Sequence, residues 1–71
     1  MAWSDKQKRL LSSRCIDVLE GLTKGMTYAQ IAIHLGISER TVQSYVQRMK
    51  AAWEVDTVAE LVFKIYESAE K

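Results

Sequence analysis

A small residue four positions before a glycine, set in an apolar framework of helical spacing, constrains this chain more than any other feature. The residues are Ala32 and Gly36, within the run Thr27-Tyr28-Ala29-Gln30-Ile31-Ala32-Ile33-His34-Leu35-Gly36-Ile37-Ser38. Thr27 with Gln30 three positions on makes a capping-box pattern and opens a short helix over 28–35. Gly36 breaks that helix, because glycine accepts the left-handed backbone that a sharp turn needs. Ser38 then caps a second helix over 39–53. Two helices joined by so short a turn cross at roughly 90–120°, and the close crossing demands a small side chain, which Ala32 supplies. Ile31, Leu35, Ile37, Val42 and Tyr45 fall at the spacings needed for buried positions around the turn. The pattern predicts a helix-turn-helix unit over 28–48.

The flanking segments read as helices too. Leu11, Cys15, Val18, Leu19 and Leu22 lie three and four apart and predict an amphipathic helix over 12–24, with Gly25 placed as its left-handed terminator. Gly21 lies inside that helix at a cost of roughly 1 kcal/mol relative to Ala, for which a close helix–helix approach is the natural reason. The buried side of the 39–53 helix is Val42, Tyr45 or Val46, Met49 and Trp53. Thr57 and Glu60 form another capping-box pattern and open a helix over 57–69. Residues 1–11 show no period and read as a polar arm with one anchor, Trp3, either frayed or packed on the domain or a partner. The expectation is an all-α, four-helix domain over 12–71 behind an arm over 1–11. With 71 residues, no Pro and only three Gly, the chain has room for one small core of helices joined by short turns.

Several function classes are excluded or disfavoured. The single cysteine, Cys15, allows no internal disulfide and falls on an apolar face, which reads as core. No apolar run reaches the ~18–20 residues of a membrane span, and the N-terminus lacks the apolar stretch of a signal peptide, so a cytoplasmic protein without membrane attachment is expected. The one histidine, His34, reads as a surface residue rather than a base or ligand. No metal-ligand spacing or phosphate-cradling glycine loop occurs, so no enzyme activity, cofactor or metal is expected.

Net charge is only +1, but its distribution is uneven. Residues 1–14 carry Lys6, Lys8, Arg9 and Arg14 against Asp5, a net +3; residues 27–50 carry Arg40, Arg48 and Lys50 against Glu39, a net +2; residues 51–71 are net −3. A basic front and an acidic rear suit a domain that presents one side to phosphates. The outward positions of the 39–53 helix fit the same partner. Gln43, Ser44 and Gln47 are candidates for base contacts, since glutamine pairs bidentately with adenine. Thr27, Tyr28, Ser38, Arg40, Thr41, Arg48 and Lys50 are candidates for phosphate contacts, through hydroxyls, cations and the helix N-terminus. The last helix has a second apolar stripe, Ala59, Val62, Phe63, Tyr66 and Ala69, beside the Val58, Leu61, Val62 and Ile65 face needed for its own core. That stripe is a candidate protein–protein surface.

Residues 11–62 resemble the LuxR/GerE-type DNA-binding domain of bacterial regulators. The resemblance rests on Leu11-Ser12-Ser13-Arg14, Val18-Leu19, Gly25-Met26-Thr27, Gln30-Ile31-Ala32, Leu35-Gly36-Ile37-Ser38, Thr41-Val42, and Val55 with Val62. It implies four helices, the third in the major groove of double-stranded DNA and the fourth pairing two copies on a palindromic or pseudo-palindromic site. The stripe Ala59, Val62, Phe63 and Tyr66 then becomes the expected dimer surface. Departures from the family pattern are Cys15 for a Glu that would complete a capping box with Ser12, Gln43 for a Lys, Tyr45 for a His, Trp53-Glu54 for Leu-Gly, and Val58 for an Arg. Fewer cations imply weaker DNA binding and a shallower salt dependence. The relatives usually carry this module behind another domain. The chain is then expected to be either a stand-alone regulator or a fragment of a larger one, and the in-register arm after Met1 favours the former. A rival expectation is a protein-interaction module, an adaptor or anti-activator that pairs with another LuxR-type regulator. A third is a piece of a sigma factor, against which the last helix argues.

Overall fold

The computed structural model describes residues 3–11 and 14–69, which form five helices and no strand. They are α1 (Asp5–Leu11), α2 (Arg14–Thr23), α3 (Tyr28–Leu35), α4 (Glu39–Trp53) and α5 (Val58–Ala69). The last four match the expected helices, with α2 ending at 23 rather than 24 and α5 beginning at 58 rather than 57; the expected start of α2 at residue 12 lies outside the described residues. α4 is the hub, packing against each of the other four. The core is drawn from α2 to α5: Val18, Leu19, Ile31, Val42, Val46, Met49 and Leu61 are each at most 1% exposed. Cys15 joins them as a buried core residue, and of the pair Tyr45 and Val46 it is Val46 that faces inward.

α2, α3 and α4 all end in the same way. Just past the helix a residue takes a left-handed backbone: Gly25 at φ 80°, Gly36 at φ 70° and Glu54 at φ 54°. In each case its N–H donates to the carbonyl three residues back, on Leu22, Ile33 and Ala51 respectively. The next N–H, on Met26, Ile37 and Val55, donates five residues back to Gly21, Ala32 and Lys50 at 3.0–3.1 Å. This double bond pattern satisfies carbonyls that a helix end leaves open and folds an apolar residue back onto the helix. Two of the three sites carry the glycine that the geometry favours, and the third carries Glu54.

Gly21 has the role its position suggested. A Cβ placed there would lie 2.8 Å from Cγ1 of Ile31, itself 1% exposed, so α2 and α3 approach through a gap with no space for a methyl group.

The four-helix expectation is corrected at the N-terminus, where the arm contains α1. Ser4 and Gln7 form a reciprocal capping box: the Gln7 N–H donates to Ser4 Oγ at 3.2 Å, and the Ser4 N–H to Gln7 Oε1 at 2.9 Å. A seven-residue helix does not persist alone in water; tertiary contacts hold this one. Gln7 Nε2 donates to the carbonyl of Ala52 in α4 at 3.0 Å. Trp3 meets Trp53 edge to face, with centroids 6.1 Å apart and planes at 81°, a favoured aromatic geometry. Trp53, where the family pattern has Leu, thus gives the arm its aromatic partner.

Candidate nucleic-acid interface

The unit α3–turn–α4 is fixed by local chemistry. Thr27 closes a full capping box on α3, accepting the Gln30 N–H at 3.1 Å while its own N–H donates to Gln30 Oε1 at 2.9 Å. Ser38 caps α4 by accepting the Thr41 N–H at 3.1 Å, and its hydroxyl lies 2.8 Å from that of Thr41. Because Val42, Val46, Met49 and Trp53 turn into the core, helical periodicity turns Arg40, Gln43, Ser44, Gln47 and Arg48 outward, and all five are exposed.

Together with Tyr28 of α3, those five side chains line one open concavity. The lining holds cations, amides and hydroxyls and no carboxylate. It brings together three expected base-reading residues, Gln43, Ser44 and Gln47, and three expected phosphate contacts, Tyr28, Arg40 and Arg48. The other four expected phosphate residues lie elsewhere. Thr27 and Ser38 stand at the helix starts, where their oxygens serve as caps, and the Thr41 hydroxyl lies against that of Ser38. Lys50 extends toward the α4–α5 connection, its Nζ 3.5 Å from the carbonyl of Asp56.

A second concavity adjoins the first. It is lined by Lys6, Arg9 and Leu10 of α1, Cys15 of α2, and Tyr45 and Arg48 of α4. Arg48 belongs to both. Lys6 and Arg9 were not among the expected site residues. The signals that point to them are the net +3 of residues 1–14 and the Ser4-x-x-Gln7 capping pattern, which shows that the arm is a helix with a defined face.

α5 carries two apolar faces. Leu61 and Ile65 of α5 are core, with Val58 and Val62 packed beside them. Ala59, Phe63 and Tyr66 are exposed, Phe63 at 67% and Tyr66 at 39%. Val62 is shared between the two faces. Among the described residues no group of His, Cys, Asp and Glu is placed to hold a metal ion, and no helix is long and apolar enough to cross a membrane.

No curated protein and no solved structure matches the chain significantly. The family model of the bacterial regulatory proteins of the luxR family, GerE, matches residues 9–64. That span takes in the end of α1, all of α2, α3 and α4, and α5 as far as Lys64. With the helix-turn-helix geometry and most of the chain inside the match, the chain belongs to the luxR family of bacterial regulatory proteins and carries its helix-turn-helix DNA-binding domain.

Proposed function

We propose that the chain is a cytoplasmic transcriptional regulator that binds double-stranded DNA as a homodimer, with α4 of each copy in the major groove. The observation that carries this reading is the outward face of α4, where Arg40, Gln43, Ser44, Gln47 and Arg48 meet Tyr28 in a concavity without carboxylates. The major groove is ~12 Å wide and admits one α-helix. Gln43, Ser44 and Gln47 at the centre of the face contact base edges. Tyr28, Arg40 and Arg48 contact the phosphate walls beside them, with the hydroxyls of Thr27, Ser38 and Thr41 at the helix starts and Lys50 toward the rear. Pairing uses α5, whose Phe63 and Tyr66 leave apolar surface beside Ala59 and Val62. Two copies related by a two-fold axis require a palindromic or pseudo-palindromic site.

Selection from a random duplex pool at two salt concentrations, with sedimentation of the free protein, tests this reading. Enrichment of a two-fold-symmetric sequence and a dimeric species are expected. Absence of enrichment, together with stable association with a larger luxR-type regulator, would replace it with an adaptor or anti-activator role.

A further inference from the structure

We propose that α1 extends the DNA-binding surface: Lys6 and Arg9 act with Arg48 as a phosphate clamp flanking the recognition helix. The proposal rests on the DNA-binding reading above and adds a site that this reading does not contain. Of its three residues, Lys6 lies outside the family match, which begins at residue 9.

The geometry starts from the surface of α4. Residues four apart form rows along a helix, and one row here is Arg40, Ser44, Arg48 and Ala52. Its first three members line the recognition concavity. Its last member, Ala52, offers the carbonyl to which Gln7 of α1 is tied. Arg48, one turn before that anchor, is therefore where the recognition face meets the arm. The rise of 1.5 Å per residue puts the Cα atoms of Arg40 and Arg48 ~12 Å apart, comparable to the width of the major groove. A cation thus stands toward each end of the face, and α1 lies beyond the Arg48 end.

The chemistry of α1 suits that place. Trp3 and Gln7 attach it to Trp53 and Ala52. Lys6 and Arg9, three apart and so on a common side of the helix, are exposed and share a concavity with Arg48 and Tyr45. Neither concavity has a carboxylate in its lining. Three cations are thus gathered beside a helix that carries Gln43 where the family pattern has a lysine. The clamp returns to the flank the charge that the centre of the face lacks. Its ligand is the phosphodiester backbone, so it contributes affinity and register without reading sequence.

The experiment measures binding to a labelled mixed-sequence duplex of about 30 base pairs across a salt titration. Each phosphate contact on duplex DNA adds about 0.9 to the slope of log K against log salt. Lys6→Gln is expected to lower the slope by about 0.9 and the double variant Lys6→Gln/Arg9→Gln by about 1.8. The double variant should bind roughly sixtyfold more weakly at about 0.1 M salt if its titration meets that of the parent near 1 M. Arg9→Lys, which keeps the charge, retains the slope, and Lys64→Gln on α5 serves as the control that leaves it unchanged. Thermal melts of the same variants separate lost contact from lost fold. Unchanged slopes in the Lys6 and Arg9 variants, with a parent that binds, overturn the clamp alone. A parent that binds no duplex overturns the clamp and the DNA-binding reading together.

Discussion

Replacing Glu54 with glycine should stabilise this domain, by an amount that follows from three equivalent helix ends. Gly25, Gly36 and Glu54 occupy the same position in the same double hydrogen-bond pattern, all with positive φ. An L-residue in left-handed backbone costs ~1–2 kcal/mol that glycine avoids, because its Cβ crowds a carbonyl oxygen. Glycine in turn loses more conformational entropy on folding, an offset of ~0.4–1 kcal/mol. Glu54 is also an exposed anion at the C-terminal end of α4, where the helix dipole disfavours negative charge by ~0.3–1 kcal/mol. The sum is a gain of about 1 kcal/mol for Glu54→Gly. In a domain of this size that raises Tm by about 4–8 °C. In urea the midpoint should rise with an unchanged m-value.

Two further variants divide the effect. Glu54→Gln removes the charge and keeps the Cβ, so it should yield only the smaller, salt-sensitive part. Gly36→Ala imposes the same backbone conflict on α3 and should destabilise by about 1 kcal/mol or more, since nothing lies within 4 Å of its added Cβ and the backbone alone opposes it. If Glu54→Gly leaves Tm unchanged, or if Glu54→Gln matches it, the backbone at 54 stores no strain and the reasoning fails.

Gly21→Ala gains up to ~1 kcal/mol of helix propensity but drives a Cβ to 2.8 Å from Ile31 Cγ1; a net loss of about 1–2 kcal/mol by urea unfolding is expected, and a gain would show that α2 and α3 separate at little cost. Trp3→Ala should release α1, lowering Tm by the equivalent of about 1–2 kcal/mol and diminishing the near-ultraviolet dichroism of the tryptophan pair; unchanged spectra would mean that the pair does not hold the arm. Phe63→Glu should leave the fold within about 0.5 kcal/mol, because Phe63 is 67% exposed, yet raise the dimer dissociation constant at least about tenfold in sedimentation; an unchanged constant removes α5 from pairing. Arg48→Ala should weaken binding evenly across sequences, whereas Gln43→Ala should change preference at one base pair by about 1–3 kcal/mol; equal losses on every site would refute that division of roles.

Much of this molecule was legible because it is local. Helix limits follow from residues within four positions of each other, and the caps of Thr27 and Ser38, the breaks at Gly25 and Gly36 and the apolar spacing of α2 to α5 all act at that range. The outward face of α4 was legible for the same reason: once Val42, Val46, Met49 and Trp53 are buried, the helical period leaves Arg40, Gln43, Ser44, Gln47 and Arg48 no other side. Even α1 left a local trace in Ser4 and Gln7, but a capping pattern does not make a seven-residue helix stable.

What the sequence by itself determined is therefore the helix-turn-helix and the chemistry of the outward face of α4. Only the tertiary structure decided where the arm goes. Trp3 pairs with Trp53, and Gln7 reaches Ala52 across 45 residues of chain, contacts whose partners no local pattern identifies. They exist because four packed helices bring the end of α4 to the front of the chain. The same assembly holds Glu54 in a left-handed turn, since burial of Val55 and the start of α5 require the chain to reverse there whichever residue occupies the corner. It also sets Lys6 and Arg9 beside Arg48, so that a charge bias visible along the sequence becomes a surface.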